Sequence, residues 1–261
     1  MPSKAHFDSR RPDAVLIGLL TALVLLAWYA LWLWGGSPYG HLLLHGPTHV
    51  HVAAQSAWLL AAIFVTGWTL MTVAMMLPTS FPMIWLFRRV LGNRTTAAWL
   101  LLLLVLGYLG IWLLCGVLLQ LVNWCLHAGI SKLSLPVNAG WSSAAVILTV
   151  AGLYQFSSLK YACLDKCRSP LSFITSRWQG RNESAQALRI GVEHGLFCVG
   201  CCWSLMLLMF LVNTTSLVWM LLLGVVMALE KNFPWGRRLA APIGLLLFVG
   251  AIAVVLKGIR T

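Results

Sequence analysis

Charge is what this sequence has least of. Only 9% of its 261 residues are charged, and Asp and Glu together number 6. A soluble globular domain carries roughly 25% charged residues, so that class is excluded. There is no Walker-type phosphate loop and no evident acidic relay, which argues against a pump. No internal repeat is visible either, which argues against an inverted-repeat secondary transporter.

Hydrophobic residues, by contrast, make up 60% of the chain. Runs of about 20 apolar residues are long enough to cross a bilayer as helices. The expected fold class is therefore all-α: a polytopic transmembrane helical bundle forming a single membrane domain over residues 1–261. Spans are expected at about 14–34, 56–77, 97–120, 141–158, 188–212, 215–230 and 239–257. The first run follows Lys4, Arg10 and Arg11 but is too long for a signal h-region, and no small-residue cleavage site follows it. It reads as an uncleaved first helix.

The net charge of +12 would suggest nucleic acid in a soluble protein. Here the positions of the basic residues explain it better. With the N-terminus in the cytoplasm, fifteen Lys and Arg fall inside and three, Lys132, Lys257 and Arg260, fall outside. This asymmetry predicts seven helices, N-in and C-out, and no nucleic-acid partner. A six-helix alternative drops the short sixth span.

The fifth span carries GVEHGLFCVGCCWSLM (191–206). His194, Cys198, Cys201 and Cys202 stand at i, i+4, i+7 and i+8, along one helical stripe. From a boundary near residue 188, His194 lies ~9 Å deep and Cys202 ~21 Å. A single Cys there would be a small hydrophobe packed beside glycines. Three in five residues above a His favour a functional polar group in lipid. Thiolate and imidazole suit soft or borderline ions such as Cu(I) and Zn(II). Cys198 and Cys201 also form a CxxC, so a redox pair stays open.

Met71, Met75 and Met76 end the second span at the same depth, closed by Pro78 and Pro82. Thioethers favour Cu(I) over zinc. Beyond the fourth span, Cys163 and Cys167 lie one turn apart in the stretch 159–187, which is expected to be a cytoplasmic loop. A structural disulfide is not expected in that reducing compartment. On the outer side His41, His45, His49 and His51 fall within eleven residues of the first loop. They are either a Cu or Zn capture site or a polar interfacial loop. Glu230 is expected to pair with Lys231 or an Arg, and Glu193 to sit at the start of the fifth helix, where an acid suits the dipole.

The blocks AMMLPTSFP (74–82), YQFSSLKYACLDKCRSP (154–170), GVEHGLFCVGCCWSLM (191–206) and VWMLLLGVVMALEK (218–231) resemble a bacterial family of predicted metal-binding integral membrane proteins, known as a domain of unknown function. The resemblance implies metal binding in a multi-pass protein of the bacterial inner membrane, and supplies no reaction. The leading expectation is a soft-metal protein, with copper as Cu(I) ahead of zinc, that holds or transfers the ion rather than catalysing a reaction. Its partners would be the lipid bilayer, the metal ion, and a metallochaperone or membrane-enzyme subunit. Two alternatives stand beside it: a membrane thiol–disulfide oxidoreductase, and a structural or assembly subunit of a larger copper enzyme. The oxidoreductase would ordinarily expose a cysteine pair on the oxidising side, which this chain lacks.

Overall fold

The computed structural model describes residues 10–35, 57–133, 140–211 and 217–260. Within them the chain is an all-α bundle of ten helices: α1 (Arg10–Gly35), α2 (Ala57–Thr79), α3 (Phe81–Leu91), α4 (Ala97–Leu133), α5 (Gly140–Gln155), α6 (Ser158–Arg168), α7 (Pro170–Thr175), α8 (Glu183–Leu207), α9 (Leu217–Asn232) and α10 (Ala240–Arg260). Five stretches, in α1, α2, α4, α8 and at the C-terminal end around α10, are long and apolar enough to cross a membrane. The pair α5–α6, bent by 63°, would make a sixth if counted as one span. Helix α9 has only 16 described residues, which is why length and apolarity among the described residues do not reach the expected seven.

The breaks have local causes. Pro78 has no N–H to give to the Ala74 carbonyl, and the Trp28 indole of α1 donates to that carbonyl at 3.1 Å instead. Ser80 then separates α2 from α3, whose first turn holds Pro82, a favoured N-terminal residue. The α5–α6 bend falls at Phe156–Ser157. Ser157 is extended and accepts from the Leu159 N–H at 3.1 Å, so it starts α6 as an N-cap. The stretch 159–187, expected as a loop, thus holds two helices and the start of α8.

Helices α4 and α8 make the most extensive packing in the bundle, followed by α5 and α10. Glycines make the first contact possible. A Cβ on Gly107 would lie 2.6 Å from the Leu188 carbonyl oxygen, and one on Gly191 would overlap the Leu104 carbonyl. Small residues at such crossings let backbones approach, and apolar helices associate largely through that close packing. Gly191→Ala should therefore destabilise the protein by about 1–3 kcal/mol. Gly110→Ala, also on α4 but with nothing within 4 Å of the added carbon, should be neutral or slightly stabilising. Thermal unfolding of the two purified variants beside the wild type checks the contrast.

The core is rich in sulfur. Eight of the nine methionines are buried: Met71, Met75, Met76, Met83, Met206, Met209, Met220 and Met227. Cys163, Cys167, Cys198, Cys201 and Cys202 are buried in the same continuous core.

Candidate metal centre

Helix α8 supplies the spine of the site. Its buried face carries Ile190, Gly191, His194, Cys198, Cys201, Cys202 and Leu205, following the 3.6-residue period. The stripe starts deeper in its helix than the sequence suggested. Helix α8 begins at Glu183, two turns before residue 190, so Glu193 is not in a first turn. Glu193 instead pairs with Arg177 and, at 2.8 Å, with Arg189.

Cys198 is the hub. Its Sγ lies 3.0 Å from the Lys231 Nζ of α9 and 3.2 Å from the Tyr108 hydroxyl of α4. Cys201 and Cys202 turn their thiols toward the Cys198 carbonyl, at 3.2 and 3.0 Å, and their sulfurs are 3.2 Å apart. Tyr108 donates to the Met76 carbonyl at 3.1 Å, which ties α4 to the end of α2 at this level. Lys231 also donates to Thr79 at 2.9 Å. His194, one turn below Cys198, is buried. Its Nε2 is 3.3 Å from the Ser80 hydroxyl, and its ring rests against Tyr108 and Phe173.

Cys163 and Cys167 are not on a polar surface. Helix α6 presses both against α8, with the Cys163 sulfur packed against the bare Cα of Gly200 and Cys167 in side-chain contact with Cys201. The Tyr154 hydroxyl at the end of α5 binds the Gly200 carbonyl and holds the same junction. Helices α6 and α8 therefore pool five cysteines in one core.

Met71, Met75 and Met76 are buried at the α2 end of that core, and a Cβ added to Gly224 of α9 would meet the Met75 side chain at 3.7–3.8 Å. Among the described residues, no group of three or more His, Cys, Asp or Glu is gathered so as to hold a metal ion. The thiols are spent on helix carbonyls, Tyr108 and Lys231 instead. His41, His45, His49 and His51 lie outside the described residues. Cys125, toward the C-terminal end of α4, is exposed, and Cys115 is half-buried.

Beside the cysteines sits a second buried polar group that sequence reasoning missed. Lys160 of α6 is fully buried and pairs with Glu230 at 2.8 Å, with Gln155 as a further acceptor. Arg168 donates to the Glu230 carbonyl at 2.8 Å and to that of Pro234 at 2.8 Å. Glu230 therefore pairs with Lys160 and not with its neighbour Lys231. Lys231 makes no ion pair with a carboxylate among the described residues, and its acceptors are Thr79 and Cys198. The one sequence clue was an adjacent acid and base, Glu230–Lys231, inside a greasy helix. In an α-helix neighbours diverge by about 100°, so the two must face different helices.

A family model described as PpoB2, copper chaperone, matches residues 65–254. No curated protein and no solved structure matches the chain. The chain belongs to this copper chaperone family, and its role is to handle copper.

Proposed function

From membership of a copper chaperone family, we infer a multi-pass protein of the bacterial inner membrane that takes up Cu(I) at the α8 sulfurs and passes it to an acceptor. One observation supports the reading most: five buried cysteines from α6 and α8 meet in one core, with Cys167 beside Cys201 and the Cys201 and Cys202 sulfurs 3.2 Å apart. Soft thiolates and thioethers select Cu(I). A soft d10 ion is satisfied by a pair of sulfurs, so a cluster with no three-ligand cage still suits it, whereas structural zinc demands four ligands.

In this reading Cys198, Cys201 and Cys202 form the holding site. Cys167 and Cys163 continue it toward the cytoplasmic end, each transfer trading one sulfur for the next. Met71, Met75 and Met76 offer thioethers from the opposite wall, and His194 borders the site. The loop with His41, His45, His49 and His51 would gather the ion outside. The N-terminus is inside, as the basic residues indicate. The acceptor is a partner protein that needs copper, such as a membrane enzyme or a soluble carrier.

Elemental analysis of purified protein tests this. The wild type should retain copper near one equivalent, and the His194→Ala/Cys198→Ser/Cys202→Ser variant should retain almost none. Equal copper in both would overturn the assignment, and zinc in place of copper would overturn the choice of ion.

A further inference from the structure

A cavity of about 580 Å³ opens between α1, α3 and α4, away from the cysteines. Its walls are apolar, with Leu16, Leu20 and Leu23 on one side and Ala98 and Leu102 on the other. Arg88 and Arg94 close one end together with Thr95. Along α4 the lining runs from Ala97 to Val105, eight steps of 1.5 Å, or about 12 Å. That is less than half of a ~30 Å hydrocarbon core, so the groove fits within one leaflet.

The end that carries the arginines lies at a membrane boundary. Arg89 stacks on Trp85 at 4.0 Å, and Trp is the residue that marks the headgroup level. Three guanidiniums, Arg88, Arg89 and Arg94, cluster at the α3–α4 turn. The acid paired with them among the described residues is Glu183, bound by Arg94. Arg88 spends one N–H on the Gly92 carbonyl, and a guanidinium has five. The positive charge is left facing the mouth of a greasy slot.

We propose that this groove binds one anionic phospholipid of the cytoplasmic leaflet, its acyl chain along α1 and α4 and its phosphate on Arg88 and Arg94. Basic pockets between membrane helices on this side hold anionic headgroups in just this way. The proposal rests on reading α1 and α4 as membrane spans and is independent of copper.

The full chain, purified in mild detergent, is titrated with dioleoyl-phosphatidylglycerol, with dioleoyl-phosphatidylcholine and with inorganic phosphate, and binding is read from the shift in thermal unfolding. Two arginines at about 1 kcal/mol each should favour phosphatidylglycerol about thirtyfold over phosphatidylcholine. Arg88→Gln/Arg94→Gln should erase that preference. Ala98→Trp, which fills the slot and leaves the charges, should weaken both lipids. Equal affinity for the two lipids, or stabilisation by inorganic phosphate matching that of phosphatidylglycerol, overturns the proposal. So does a preference that survives the double Arg variant, or full lipid affinity in Ala98→Trp. Copper content should stay constant across the variants, which separates this result from the copper reading. Recovery of the protein from the aqueous fraction without detergent would instead sink the membrane reading itself.

Discussion

Glu230→Gln should unfold the protein far more readily than any single surface change, by about 3–5 kcal/mol. The reason is the partner left behind. Lys160 is fully buried, and Glu230 supplies its counter-charge at 2.8 Å. Gln155 remains as an acceptor, but an amide oxygen carries no formal charge. Arg168, which bonds the Glu230 and Pro234 carbonyls, does not help, because it is itself a cation. Removing both charges is a different matter. Lys160→Met/Glu230→Leu replaces the pair with apolar side chains of similar size, which is often neutral or stabilising. The double variant should recover most of the loss. Chemical denaturation in detergent reads both, and wild-type stability in Glu230→Gln would show that the pair contributes nothing.

The second large effect concerns Cys198 and separates two roles of one sulfur. Cys198→Ala should abolish copper retention and also cost about 1–3 kcal/mol of stability, since Lys231 loses an acceptor in a dry core. Lys231→Met in that background removes the stranded ammonium. Stability should then return while copper stays absent. The coupling between the two substitutions should be about 0.5–3 kcal/mol, as for side chains in direct contact. Strict additivity would mean that Lys231 is not held by Cys198. Copper retained in Cys198→Ala would remove that residue from the site.

Much of the architecture was legible in the chain. Apolar runs mark the long helices because hydropathy is a property of consecutive residues. The Cys stripe of α8 was legible for the same reason, since its period is internal to one helix. Pro78 and Pro82 marked a true break. The partners were not legible. Nothing in YACLDKCR says that Cys163 and Cys167 face α8, because a loop and an amphipathic surface helix share that composition. Helix α6 has charged Lys166 and Arg168 beside buried Cys163 and Cys167, and only the fold decides which side turns inward. The same holds for Lys160 and Lys231. Each counts as one more basic residue near a boundary, which is where the positive-inside rule expects it, yet both are buried and committed to specific acceptors. Tyr108 and Thr79 carried no signal, as nothing in a sequence distinguishes a tyrosine that touches sulfur from one that packs.

Helix α9 has one more consequence. Glu230 and Lys231 sit on its last turn and face different neighbours: Glu230 pairs with Lys160 of α6, and Lys231 reaches Cys198 of α8. A shift of that turn in either direction would part an ion pair on one side and a sulfur contact on the other, so the two adjacent charges act as a latch that fixes α9 against both cysteine-bearing helices.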